Sequence, residues 1–427
     1  MSENTNLFPN MLSPFKINNC TLKNRMVVSP MGSGGVLETV GYHSEYSDRG
    51  IEYFVERARG GFGLMITGGD LVPDNEVDAH DPLTSILNYP AYFKKQALNL
   101  NERLSFYDMK LFQQLTMGLG RDDGFLACSE TPDFWDPSRK CTALTTDQVK
   151  RKIDCVIKAA KLCKDSGFAG VDVHAIHWGY LMDEFAMALF NHRTDEYGGN
   201  LENRLRVAKE IIDGIRAECG ADYPVTMGLG LKTYIKGYNK PSLTGEDEAG
   251  RTLEEGIKIA KMLESYGYDA LGVDVGTYDS FYYACPPQYV PFGHVIPLAA
   301  ELKKHVNIPV MCRSRMNNPY KSEQALAEGK IDAVVLGRAT LADPHYAKKI
   351  QMGVPEKIRP CIGCTVGCIG KVFTGEAITC AVNPAARNEL NYGIEKTLNP
   401  RKVAVIGGGV AGMEAAREAV ECGHTVE

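Results

Sequence analysis

Four cysteines, Cys361, Cys364, Cys368 and Cys380, stand in the pattern C-x2-C-x3-C-x11-C. Soft thiolates this closely spaced wrap one iron–sulfur cluster or one zinc ion. The surrounding RPCIGCTVGCIG is rich in glycine, which predicts a tight loop with backbone N–H groups turned toward cluster sulfurs. Three ligands within eight residues and a distant fourth suit a [4Fe–4S] cluster better than a zinc ribbon, which usually pairs two C-x2-C knuckles. Zinc stays open as the competing ligand.

A second chemical motif closes the sequence. RKVAVIGGGVAGMEAAREAVECGHTVE reads as a strand, then Gly407-x-Gly409-x-x-Gly412 opening a helix, then the start of another strand. That context is what a phosphate-cradling dinucleotide loop needs. The sequence ends at Glu427, ahead of the usual ribose-binding acid, so a truncated chain with an incomplete Rossmann-like βαβ stub is expected.

The elements that must carry these motifs follow from periodicity. Eight apolar, β-branched runs are predicted as strands: 25–30, 63–68, 110–116, 169–175, 224–230, 270–276, 308–313 and 333–338. Helical stretches with apolar residues at three- and four-residue spacing, such as DQVKRKIDCVIKAAKLCKDSG, lie between most of them. Strands apolar on both faces and alternating with helices predict an α/β fold with a parallel sheet, most economically closed as a (β/α)8 TIM barrel. An open doubly wound sheet is disfavoured because no glycine-rich loop follows the first strand. The predicted organisation is a barrel over 1–355, a cluster-binding segment over 356–392, a linker over 393–400 and the start of a dinucleotide-binding domain over 401–427. Long loops follow strands two, three and six; the last, rich in Tyr, Pro and Phe, is a candidate substrate wall.

Composition narrows the function classes. A chain of 427 residues exceeds one core of usual size, so a large domain plus an appendage is expected. The net charge of −6, without a dense Lys/Arg run, argues against nucleic acid as the partner. The amino end lacks a signal-peptide layout, and no run of about 18 apolar residues is present to span a bilayer. Thirteen cysteines without an export signal predict a reducing, cytoplasmic location, with those outside the motif acting as small buried hydrophobes.

The stretch VDVHAIHWGYLMDEFAMALFNHRTDEYGGNLENR, together with NRMVVSPMG, FQQLTMGLGR and GRATLADP, resembles the Old Yellow Enzyme superfamily of flavin-dependent ene-reductases. The cysteines and glycine-rich stub narrow the likeness to its iron–sulfur branch, which includes 2,4-dienoyl-CoA, 2-enoate and bile-acid 3-oxo-Δ4 reductases and trimethylamine dehydrogenase. The resemblance implies FMN in the barrel, with FAD and NAD(P)H implied for a longer relative. An ene-reductase delivers hydride to the β-carbon of a polarised C=C and a proton to the α-carbon. His174 and His177 match the donor pair for the substrate carbonyl, where negative charge grows; structural histidines or zinc ligands are the alternative. Tyr180 matches the proton donor, since a phenol of pKa about 10 stays protonated at neutral pH. Arg193 matches a substrate-contacting position, or braces its loop through Asp195, and Tyr278 and Tyr282 are further substrate candidates. For FMN the resemblance implies backbone contacts from Pro30, Met31 and Gly32, the Gln114 amide at the pyrimidine edge, and Gly337 with Arg338 at the phosphate.

Two positions depart from the pattern. The family's strand-five arginine, which reaches the N1–C2=O edge of the flavin, is replaced by Gly228, leaving Lys232 as the expected substitute. The usual Gly-Arg of strand seven is Ser314-Arg315. The predicted function is reduction of an activated alkene (enoyl thioester, enoate or 3-oxo-4-ene steroid) with NAD(P)H as electron donor. An amine dehydrogenase or demethylase and a non-redox barrel with structural zinc are the competing readings, and the oligomeric state is left open.

Overall fold

The computed structural model describes residues 6–31, 47–79, 85–245, 247–374 and 376–427. All eight predicted strand regions carry strands: β1 (Met26–Val28), β2 (Leu64–Ile66), β3 (Lys110–Thr116), β4 (Gly170–Ile176), β5 (Val225–Gly230), β6 (Ala270–Asp274), β7 (Val310–Cys312) and β8 (Ala333–Leu336). Each pairs in parallel with its sequence neighbours, β8 pairs with β1, and the β3–β4 ladder completes an unbroken cylinder. Every residue of β4 and β5 is buried, as required of strands covered by side chains within and helices outside.

Helices α1 (Asp48–Arg59), α2 (Pro90–Ser105), α3 (Thr146–Asp165), α4 (Arg206–Cys219), α5 (Leu253–Tyr266), α6 (Ile296–Lys303), α7 (Pro319–Ala327) and α8 (Tyr346–Gln351) form the outer ring. Their ends are written locally. Thr145 and Gln148 form a reciprocal capping box at the start of α3, and Gly267, in the left-handed region at φ 104°, ends α5. An antiparallel hairpin, Phe15–Ile17 with Cys20–Leu22, buries Phe15, Ile17 and Leu22 against Val27, Leu64 and Phe112 at one end of the barrel. The opposite end, where the parallel strands finish, stays free for a site. Among the described residues no helix is long and apolar enough to cross a membrane. Eight of the nine cysteines outside the motif are buried, Cys422 being the exception.

The cysteine segment departs from the expected loop. Cys361 and Cys364 lie in irregular chain, but Val366–Gly370 winds into a π-type turn that runs into a short helix, Lys371–Phe373. Thr365 at φ 61° turns the chain into it. A backbone bond from Thr379 to the Gly367 carbonyl (2.6 Å) then stitches the later strand of the loop beside the turn. At the carboxyl end, Lys402–Val403 and Thr425–Val426 pair in parallel around the helix Val410–Glu421. A Cβ on Gly412 would come 1.9 Å from the Gly407 carbonyl oxygen, so the glycine there permits the close approach of helix and loop.

The segment after the barrel is clamped onto α1. Arg57, fully buried, lies 3.5 Å over the Tyr53 ring, donates to the Tyr53 and Thr340 carbonyls, and pairs with Glu389 at 2.7 Å. Removing one partner of a buried pair leaves the other charge uncompensated and costs about 3–5 kcal/mol. Glu389→Ala is therefore expected to lower thermal stability by several degrees and to open residues 376–400 to limited proteolysis ahead of the barrel. An unchanged digestion pattern would show that the pair does not hold the segment.

Candidate active site

The strand ends surround a cavity of about 700 Å³. His174 and His177, from the end of β4, both line it, as do Tyr180 just beyond, Gln114 from β3 and Asp274 from β6. The turn that follows β4 is built for this. Trp178 (φ 58°) and Gly179 (φ 85°) reverse the chain through the left-handed region, and the Trp178 carbonyl accepts from the Tyr278 amide (3.0 Å). That reversal starts a short helix, Leu181–Ala186, with Tyr180 as its first flanking residue.

His177 Nδ1 lies 2.9 Å from the Asp274 carboxylate, which sets Nδ1 as the donor to it and leaves Nε2 buried and, among the described residues, without a partner. The His174 ring packs 4.5 Å from Tyr180 with its Nδ1 unpartnered. Burial first, and the nearby His177 and Arg313 second, push His174 well below the ordinary histidine range, so it is neutral. The Tyr180 hydroxyl meets the Tyr278 hydroxyl at 3.0 Å, and burial raises both phenols, keeping them protonated. Beyond them Asp122, pushed up to about 7 chiefly by burial, faces Tyr278 and Trp135, with Asp123, Asp133 and Arg121 also near. The arrangement is a protonated phenol backed by a second phenol and a carboxyl group, beside two imidazoles.

The opposite side of the cavity is cationic. Arg315 and Arg338 each donate to one carbonyl of the β6 loop, Pro287 (3.1 Å) and Pro286 (2.8 Å), which fixes their stems. Arg338 Nη1 and Arg315 Nε stay buried and unpartnered among the described residues, and burial together with Arg338 lowers Arg315. Gly337, Pro30 and Met31 line the same side, while Gly32 lies outside the described residues. Ser314 and Arg315 take up φ values of 75° and 48°, a left-handed pair of non-glycine residues held where strand β7 meets the cavity. Gln114 also lines the cavity, but its Nε2 donates to Asp172 (2.7 Å).

Three sequence candidates lie elsewhere. Lys232, expected to replace the missing strand-five cation, turns out to Glu248 (3.5 Å) and the Gly245 carbonyl, over the Tyr234 ring. Arg193 pairs with Asp195 and donates to the Cys128 and Leu144 carbonyls, so it braces three loops at a separate, shallower pocket. Tyr282 packs at a tilt on Tyr283, which in turn stacks on Tyr234, and Tyr282 is not in the cavity lining. Conversely, Asp274, Asp122, Arg313 and the aromatic frame of Trp135 and Phe373 were not singled out by sequence reasoning. A legible signal existed for Asp274, an acid at a strand's carboxyl end; Trp135 and Phe373 meet (5.3 Å) only through folding.

Of the four motif cysteines, Cys361 and Cys368 line the same cavity, while Cys364 and Cys380 are not in its lining. Burial raises Cys368 and Cys380, and the thiol of Cys361 acts on both. Among the described residues, no group of three or more His, Cys, Asp or Glu side chains is drawn into a metal-holding arrangement.

Residues 10–89 and 122–357 match the NADH:flavin oxidoreductase / NADH oxidase family. The chain belongs to this family. It is 42% identical over 426 residues to the cinnamate reductase of Clostridium sporogenes, covering 97% of this chain and 64% of that one. It is 36% identical to the NADH oxidase of Thermoanaerobacter brockii, covering 98% and 63%. A solved 2-naphthoyl-CoA reductase complex superposes with a TM-score of 0.87 at 31% identity, covering 98% of this chain and 64% of that chain. The chain thus spans less than two thirds of these relatives' length.

The family implies FMN, and the cavity residues fit it. Guanidinium nitrogens unpartnered among the described residues and a glycine suit a phosphate, and Gln114, His174 and Arg313 in the same lining have the polar groups that suit a planar polar ring. A hydrogen bond to a charged group is worth about 1.5–3 kcal/mol. Arg338→Ala is therefore expected to weaken FMN binding to apoprotein by roughly 10- to 150-fold, read by flavin fluorescence quenching, while binding of riboflavin, which lacks the phosphate, changes little.

Proposed function

We propose that this protein reduces activated C=C bonds, acting on flat, aryl-conjugated enoates or enoyl thioesters. The observation that carries the reading is the convergence of one protonated phenol, Tyr180, and two imidazoles, His174 and His177, on a single cavity. The Asp274-oriented Nε2 of His177 can serve a substrate carbonyl oxygen, as can His174. As charge gathers there, Tyr180 gives its proton to the α-carbon, and Tyr278 with Asp122 behind it resupplies that proton. FMN, when bound, supplies the hydride.

Substrate class is supported by the cavity's outer frame. Trp135 meets Tyr278 (6.4 Å) and Phe373 (5.3 Å) edge-on, and Trp178 meets Tyr278 in the same way (5.8 Å). Such edges favour a planar aromatic group over a puckered one. Two of the relatives reported above carry aryl substrates in their names. We further read Cys361, Cys364, Cys368 and Cys380 as ligands of a [4Fe–4S] cluster, which fits their chain proximity and all-thiol chemistry, with NAD(P)H as the ultimate electron source.

The test is to photoreduce the FMN-loaded protein without oxygen and mix it with cinnamate, a 2-naphthoyl thioester, a cyclic enone and methylated amines. Flavin reoxidation by the aryl substrates is expected. No reoxidation by any alkene, or bleaching of oxidised flavin by an amine, would overturn the reading. Tyr180→Phe is expected to slow alkene-driven reoxidation about 10²- to 10⁴-fold, in line with loss of general acid catalysis.

The relay sets a pH dependence. Asp122 carries its proton below about 7 and loses it above, so proton delivery should weaken as pH rises through about 7. Asp122→Asn is expected to flatten that limb of the reoxidation profile. A wild-type profile already flat between pH 6 and 8 would remove Asp122 from the path.

A further inference from the structure

Arg313 is the least explained charge in the molecule. It follows β7, its backbone N–H bound to the Val273 carbonyl (2.9 Å), and its side chain turns into the barrel mouth, where it lines the cavity. The guanidinium is buried, yet Nε, Nη1 and Nη2 all lack a hydrogen-bond partner among the described residues. The nearest carboxylate, Asp172, stands 3.7 Å away, beyond hydrogen-bond reach, and already accepts from Gln114 and Thr226. A buried guanidinium whose fork is empty among the described residues is open to an acceptor on a bound guest.

The neighbouring strands are shaped around it. A Cβ on Gly228 of β5 would come 3.1 Å from Nη1, and one on Gly272 of β6 would come 2.2 Å from Nη2 and 2.6 Å from Cζ. Neither glycine lies among the positive-φ residues, so both serve space and not backbone conformation. Gly228 is the position where the resembled family carries its flavin-facing arginine. One strand therefore gives up its cation, and the room left by two glycines is filled by a cation from across the barrel.

We propose that Arg313 is the cofactor-contacting cation of this site, delivered from β7 in place of the strand-five arginine, and that it binds the electron-rich pyrimidine edge of FMN more strongly in the reduced state. The inference rests on the FMN reading of the cavity. Gln114, which lies beside Asp172, shares that end of the ring, and Gly228 and Gly272 are positioning residues that admit the guanidinium. Lys232, committed to Glu248, takes no part.

Four proteins test it: the wild type, Arg313→Met, Arg313→Lys and Gly272→Ala, each as apoprotein titrated with FMN and as loaded protein titrated for its midpoint potential. Arg313→Met and Gly272→Ala are each expected to reduce the preference for reduced over oxidised flavin about 10- to 100-fold, a fall of about 30–60 mV for a two-electron couple. Arg313→Lys should keep most of the wild-type potential. The urea midpoint of Arg313→Met apoprotein should fall, because the buried Asp172 carboxylate loses the charge 3.7 Å from it, while Arg313→Lys, which keeps a charge there, should stay close to the wild type. An unchanged potential in Arg313→Met or in Gly272→Ala, or equal losses in Met and Lys, would each overturn the assignment and leave the FMN reading standing. Failure of the wild type to bind FMN would instead remove that reading.

Discussion

At the mouth of this barrel, charge must be satisfied where water is excluded, and Asp172 is the residue on which that constraint falls hardest. Its carboxylate is fully buried among four strands. It accepts from Gln114 of β3 and Thr226 of β5 and faces Arg313 beyond β7. Taking a lone carboxylate out of water costs far more than any one hydrogen bond returns, so the polar side chains around it are held in register with it. The strands cannot slide without breaking that set, because a one-residue slip turns each side chain from the barrel's inside to its outside. His174 stands on the same strand as Asp172, two residues on, and His177 directly follows that strand, so their placement is tied to the same register.

The same logic separates structural from chemical charges. Arg57, Arg121 and Arg251 are as deeply buried as any side chain here, and each ends on a carboxylate: Glu389, Asp279 and Asp183. Their work is to hold loops and helices around the mouth. Arg313, Arg315 and Arg338, around one cavity, differ in having no hydrogen-bonded carboxylate among the described residues: Arg315 and Arg338 donate only to carbonyls, and the Arg313 fork is unpartnered. Buried donors are normally satisfied within the chain. A group of them left open, opposite a phenol and two imidazoles, is the electrostatic outline of an anionic, planar guest.

How much of this was legible in the chain follows from the range of each interaction. The eight strands announced themselves because burial on both faces demands continuous apolar runs, a property of consecutive residues. His174, His177 and Tyr180 were legible because one strand and its turn carry all three. Lys232 misled for the same reason. It sits four residues beyond Gly228, close along the sequence, but the strand has ended and its side chain leaves toward Glu248. The glycine-rich cysteine segment misled in a different way, since the Thr379–Gly367 bond that steadies its π-type turn joins residues twelve apart.

The amino-acid sequence by itself determined the closed α/β barrel, the side of it that carries chemistry and the residue types gathered there, because periodicity, strand-end position and turn chemistry are local. Only the tertiary structure decided which cation occupies the place vacated at Gly228, which acid orients His177, and which aromatic rings frame the entrance. Each of those depends on a contact between strands or loops far apart in the chain: Arg313 against Gly272, Asp274 against His177, Phe373 against Trp135. Such contacts exist only once closure has brought the strand ends within a few ångströms of one another.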